Sequence, residues 1–395
     1  MEQTWRWFGP EDAITLPEIR QTGATGIVTA LHHIPYGVVW SVEEIEKRKA
    51  MIEAAGLRWA VVESVPVAEP IKLGGGDLQP LYENYRQTLR NLAACGIDTV
   101  CYNFMPILDW TRTQLYYPLA TGGSALRFNA HEYAAFDVYM LERQGAEAEH
   151  SPEVLKRAKA WFDAASESDK DKLLACIMSG LPGAYERYDV PGLKRVIDTY
   201  RDITADDLRQ NFASFLREVI PTAEEVGVRL GVHPDDPPRP IFGLPRVVSN
   251  EEDLAFIVGA VDSVANGLTL CTGSLGAGPA NDLPKIARRF ASRIHFVHLR
   301  NVAKEPDGSF MESNHLGGDV DMVAVVTEIL EEQKRRKDRN DARWRIPFRP
   351  DHGHELLTDV GRKTHPGYPL VGRLKGLAEV RGVMTAVAAI KGLPV

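Results

Sequence analysis

Eight short runs rich in Val, Ile, Leu and aromatic residues recur along the chain, at Trp5–Trp7, Gly26–Ala30, Arg58–Val62, Thr99–Phe104, Arg229–Val232, Leu268–Cys271, His295–Leu299 and Ile346–Phe348. Between most of them lies a stretch with helical periodicity. A run that is apolar at nearly every position suits a strand covered on both faces, and strands alternating with helices build a parallel sheet. Eight such strands predict closure into a (β/α)8 barrel, the α/β TIM-barrel fold. No repeat with a period of about 20–50 residues points to a solenoid or propeller instead.

Helix boundaries are written locally. Ser41 precedes Val42 to Met51 with Glu44 three residues on, a capping-box arrangement, and Gly56 follows where a helix end favours a left-handed residue. The clearest helix spans about Ala205 to Val226. Thr204 and Asp207 cap it, Leu208, Phe212, Phe215, Leu216 and Val219 form its apolar face, and Gly227 closes it. The rhythm breaks once, between a fourth strand ending near Phe104 and a fifth beginning near Val228. That interval holds its own helix signals: Ser151-Pro152 before Trp161 and Phe162, then Leu173, Leu174 and Ile177 before Gly180. Residues 105–204 are therefore read as a helical insertion, a lid or an oligomer surface, within a single barrel domain spanning 1–395.

Charge narrows the partners. With 46 basic against 54 acidic residues, net −8, the chain has no bulk positive field to hold nucleic acid or anionic lipid. No apolar run approaches the roughly 18 residues of a membrane-spanning helix, and Met1 to Gly9 lacks the order of a signal peptide. Cys95, Cys101, Cys176 and Cys271 show neither a CxxC nor a finger spacing, which reads as reduced thiols in a cytoplasmic protein.

In such a barrel the functional side chains stand at the C-terminal strand ends. The last four strands end in His233-Pro234-Asp235-Asp236, Cys271-Thr272-Gly273, His298-Leu299-Arg300-Asn301 and Arg349-Pro350-Asp351-His352-Gly353-His354. Each supplies a metal-ligand type. Neighbouring strands lie about 4.8 Å apart, so His233, Cys271, His298 and Asp351 can reach one cation. Two imidazoles, a thiolate and a carboxylate leave manganese, iron(II), cobalt and zinc all open. Taken singly, the Cys could be a small core residue, the His-Pro a loop hydrogen bonder and the Asp a turn starter; their shared position distinguishes them. His295 lies on the opposite face of its strand and reads as structural.

These stretches, with Asn84 to Tyr102, the opening Trp5-Arg6-Trp7-Phe8-Gly9-Pro10 and Pro366-Gly367-Tyr368 to Glu379, resemble the mannonate dehydratase family of hexuronate degradation over essentially the whole chain. The resemblance implies a TIM-barrel lyase that dehydrates D-mannonate to 2-keto-3-deoxy-D-gluconate with Mn(II) or Fe(II). It places the cation on the same four residues and a proton-transfer pair on His352 and Tyr368. It also implies a small sugar-acid substrate in glucuronate catabolism and a homo-oligomer, dimer or higher.

An anion with five hydroxyls calls for guanidinium and amide groups at the mouth. Arg300, as a bidentate grip on the carboxylate, and Asn301 are the first candidates; His315, His32 and His33 are further ones. The competing reading is a metal-dependent sugar or sugar-acid isomerase or epimerase on the same barrel, then a noncatalytic sugar-acid binder, then a zinc hydrolase. The glycine-rich Gly273 to Gly278 lacks the ending of a nucleotide motif and reads as a loop permitting close approach to the metal. The basic run within Glu331 to Arg339 reads as a solvated helix end.

Overall fold

A computed structural model describes residues 1–180 and 188–395. Twelve strands occur among them: β1 (Glu2–Arg6), β2 (Gly26–Thr29), β3 (Arg58–Glu63), β4 (Thr99–Tyr102), β5 (Gln114–Pro118), β6 (Ser124–Phe128), β7 (Arg229–Val232), β8 (Asn266–Cys271), β9 (Ile294–His298), β10 (Asn301–Lys304), β11 (Phe310–Ser313) and β12 (Pro347–Arg349). Eight close into a parallel barrel in the order β1-β12-β9-β8-β7-β4-β3-β2, so each barrel strand pairs with the next in sequence and the last with the first. Each of the eight runs chosen from sequence contributes one of these strands.

Val28, Ala60, Val61, Cys101 and Phe296 form a buried cluster of their own. They come from the neighbouring strands β2, β3 and β4 and from β9, which reaches those three only across the barrel's interior, so this small cluster is the barrel filling. The larger core lies between strands and helices. The helix Ala205–Glu225 carries the reciprocal Thr204–Asp207 cap and buries Leu208, Phe212, Phe215, Leu216 and Val219. Phe212 stacks on Phe104 with ring centroids 4.2 Å apart, a contact whose burial contributes on the order of 1.5–3 kcal/mol per ring. The helix Val42–Ala54 has Ser41 accepting from the Glu44 amide, and Gly56 takes its left-handed turn at φ 73°.

The 105–204 segment differs from a purely helical excursion. It carries the helices Pro152–Ala164, Glu167–Ile177 and Val190–Asp198, but it opens with the antiparallel pair β5–β6. β6 then pairs with β11, whose own partner β10 leaves the barrel just after β9, giving the four-stranded sheet β10-β11-β6-β5. Two excursions from different barrel strands are thus stitched together, with Phe128 stacked on Phe310 at 5.5 Å. The alternation in Ser124 to Phe128 and Phe310 to Ser313 is short and interrupted by charge, which hides these strands from periodicity. Residues 181–187 of the expected insertion lie outside the described residues.

Candidate active site

Register places the site. Cys271 at the end of β8 is opposite His298 on β9, and His298 is opposite Arg349 on β12. His233 follows β7 directly. His233, Cys271 and His298 therefore converge, with one potential donor atom from each lying within 4.8 Å of the others. His233 Nε2 is 3.1 Å from His298 Nδ1, and Asp351 Oδ2 lies 3.6 Å from Cys271 Sγ and 4.0 Å from His298 Nδ1. Donors about 2.0–2.3 Å from one cation stand roughly 3–4 Å from each other, so this set fits a divalent ion.

The surroundings orient each donor. His233 Nδ1 faces the Pro234 carbonyl at 2.7 Å, and His298 Nε2 faces Glu63 Oε2 at 3.5 Å. With those nitrogens protonated, the lone pairs of His233 Nε2 and His298 Nδ1 point at each other, an arrangement that a shared cation relieves. Cys271 Sγ accepts from the Ser274 hydroxyl at 3.1 Å and its amide at 3.4 Å, contacts that fix the sulfur's position. Asp351 holds a left-handed φ of 59°, strain that costs about 1–3 kcal/mol in a non-glycine residue. Ion pairs to Arg349 and Arg300 hold it there.

Those pairs belong to a buried network. Arg300 donates Nε to Asp351 at 2.6 Å, Nη1 to Glu312 at 2.5 Å and Nη2 to Asp236. Arg112, from the excursion, bridges Asp236 and Glu312 at 2.8 and 2.9 Å. Arg349 clasps Glu63 at 2.8 and 3.0 Å. Burial alone pushes the Glu63, Asp351 and Glu312 carboxyls up, but the facing arginines and histidines outweigh it and hold all three below the usual range. Asp236 comes to about 2 because Arg112 and Arg300 likewise overcome its burial.

His352 Nδ1 sits 3.0 Å from Glu312 Oε1, which leaves Nε2 as the free edge, 4.0 Å from Asp351 Oδ1. Tyr368 packs edge-on against His352 at 5.0 Å and Phe8 at 4.9 Å, with the Arg349 and Arg373 guanidiniums 5.7 and 5.3 Å from its ring. Burial raises its phenol well above the ordinary value, against the opposing pull of Arg349. Trp110, Asn103 and Asp109 complete the wall, and the space enclosed is about 30 Å³.

The substrate-binding expectations fare differently. Arg300 is no free clamp, because its three nitrogens are spent on three carboxylates and the side chain is buried. Asn301 is used up locally, its amide donating to the His315 and Val320 carbonyls and accepting from the Val302 and Val320 amides. His315 is buried against the Pro350 carbonyl at 2.7 Å. His33 points outward to Glu44. His32 stays beside the site, with Nε2 3.1 Å from Arg6 Nη2; burial, then Arg6 and Arg48, hold its imidazole well below the ordinary value and so neutral.

Sequence reasoning missed Glu63, Asp236, Glu312 and Arg349. Glu63 ends an apolar strand at the mouth, a signal that was readable; Asp236 and Arg349 lie inside strand-end motifs already singled out. Glu312 could not be found by that rule, since it arrives on β11 from outside the barrel. Gly273 serves a purpose other than the expected one: a Cβ there would stand 2.4 Å from the Arg300 side chain, so the glycine makes room for the arginine. Arg336 of the basic run is buried on Glu332 and the Ala291 and Ile294 carbonyls, not solvated.

Fold and site together define a barrel enzyme whose mouth carries a convergent His/His/Cys/carboxylate donor set beside a histidine and a tyrosine. The comparisons with known proteins agree on its relatives. The family model described as D-mannonate dehydratase (UxuA) matches residues 1–392. A mannonate dehydratase of Chromohalobacter salexigens is 58% identical over 388 residues, 98% of this chain and 99% of the relative. One of Marinomonas sp. is 57% identical over 384 residues, 97% and 98% of the two chains. The crystal structure of mannonate dehydratase from Streptococcus suis serotype 2 superposes with a TM-score of 0.78 at 34% identity, covering 99% of this chain and 95% of that one. The chain belongs to the D-mannonate dehydratase family.

Proposed function

We propose that the chain removes water from D-mannonate to give 2-keto-3-deoxy-D-gluconate, with His233, Cys271, His298 and Asp351 holding Mn(II) or Fe(II). The observation that carries this reading is the convergence of those four donors beside His352 and Tyr368. The reaction takes a weakly acidic proton from the carbon next to a carboxylate and expels hydroxide from the adjacent carbon, and both steps need help. A bound divalent cation supplies Lewis-acid stabilisation of negative charge developing on the carboxylate.

The protein's own groups divide the proton work. Glu312 accepts from His352 Nδ1–H and fixes the tautomer, so that His352 Nε2 is the atom that takes the proton. Tyr368, kept protonated by its burial, delivers a proton to the departing hydroxide. The enol that remains becomes the 2-keto product. Arg300 and Arg349 act as positioning residues that hold Asp351 and Glu63, and His32 is the remaining candidate for contact with the substrate.

The same reading places the enzyme in glucuronate catabolism in the cytoplasm, as a homo-oligomer. Cys95, Cys101, Cys176 and Cys271 are all free thiols, and the exposed Leu357 and Val360 offer apolar surface for a second copy. No helix among the described residues is long and apolar enough to cross a membrane. The test is mass and NMR analysis of D-mannonate incubated with the metal-loaded protein. Loss of one water with a 2-keto-3-deoxy product supports the assignment; a ketose or an epimer of unchanged mass overturns it.

A further inference from the structure

A basic cavity lies at the opposite end of the barrel from the mouth. The N-terminal ends of the strands border a space of about 660 Å³ lined by Arg58, Arg229, Arg336, Arg343 and Arg345, with His295, by Glu2 and Asp98, and by Met1 and Val395. Three of the arginines are matched: Arg58 by Glu2, Arg229 by Asp341 at 2.8 Å and Arg336 by Glu332 at 2.9 Å. Arg343 and Arg345 have no carboxylate within 4 Å among the described residues. Arg343 spends only Nη1, on the Gly227 carbonyl at 2.6 Å, and Arg345 lies over the Trp344 ring at 4.7 Å.

Like charges crowd this space. Burial and the neighbouring Arg229 work against the charge on Arg343 while Asp98 and Asp341 favour it, and burial with Arg336, Arg229 and Arg343 keeps His295 neutral. The loop that carries the unmatched pair is held in place: Asp341 accepts from the Arg343 amide at 2.8 Å with one oxygen and from Arg229 with the other. Two guanidiniums that line one solvent-open cavity from a braced loop, neither in a direct ion pair, can receive a multiply charged oxyanion.

We propose that this cavity binds a compact oxyanion of the phosphate class, free or as the ester of a small metabolite, independently of the chemistry at the mouth. A dianion suits two guanidiniums that lack a carboxylate better than a single carboxylate would. Bound there, it ties the starts of the barrel strands to the loop before β12 and stabilises the folded state by mass action.

The test is calorimetric titration of the metal-loaded full chain at low ionic strength with inorganic phosphate, and in a parallel arm with glycerol phosphate. One saturable site with Kd below about 10 mM is expected, weakened at least about tenfold in Arg343→Gln/Arg345→Gln and unchanged in His352→Asn. Tighter binding of the ester identifies a phosphorylated metabolite as the source, and equal binding identifies free phosphate. Sulfate should displace phosphate from the unaltered protein and acetate should not, a readout independent of whether the double variant folds. Absence of saturable binding overturns the proposal, as does a folded double variant that binds normally, or loss of binding in His352→Asn, which would locate the anion at the mouth.

Discussion

At the residue scale, each group of the site has a separable consequence. His352→Asn should lower kcat by about 10²–10⁴-fold while leaving bound metal unchanged, because its ring is not one of the four donors; turnover and metal content measured on one sample check this. Tyr368→Phe should lower kcat with little change in KM, since the ring and its packing against Phe8 and His352 survive. An isomerase-like retention of activity would count against the proton-delivery role. The convergence of His233, Cys271, His298 and Asp351 was legible because each stands at or just after the end of a barrel strand. Arg300 was misread because its position at a strand end says nothing of how many carboxylates surround it, and those come from elements distant in sequence.

At the element scale, the strand ends supply the donors and the second sheet supplies their supports. Glu63→Gln should weaken metal binding by about 10–100-fold, as the carboxylate facing His298 Nε2 and clasping Arg349 is lost; titration with Mn(II) followed by electron paramagnetic resonance measures it. Glu312→Gln tests the sheet's contribution, with kcat expected to fall further than metal affinity. Phe212→Ala should cost about 3–5 kcal/mol in stability, since the ring is fully buried on Phe104, without altering the site. The barrel strands and the long helices were readable from apolar runs and caps. The β5–β6 and β10–β11 pairs were not, because strands this short owe their conformation to their partners, and the β6–β11 pairing that joins the two excursions is encoded by no local pattern.

At the scale of the whole molecule, a buried set of arginines and carboxylates links barrel and excursions and makes stability depend on pH. Asp236 falls from the usual Asp value of about 3.9 to about 2 in the fold, and Glu63, Glu312 and Asp351 are lowered as well. Groups lowered on folding contribute stability that is fully present above their unfolded values and lost as pH falls through the folded ones. Thermal unfolding should therefore change little through this cluster above about pH 5 and fall steeply from about pH 4 towards pH 2. A melting temperature flat across that window would contradict the network's role.

The most direct measurement is metal add-back. Protein stripped of metal, reduced and kept from air is incubated with D-mannonate, with and without Mn(II) or Fe(II), beside Cys271→Ser and His352→Asn. Formation of 2-keto-3-deoxy-D-gluconate that requires the metal, falls in Cys271→Ser with loss of bound metal, and falls in His352→Asn without it, is the expected result. Equal product from the stripped protein, or full activity and metal content in Cys271→Ser, would contradict a cation held by these four strand-end donors.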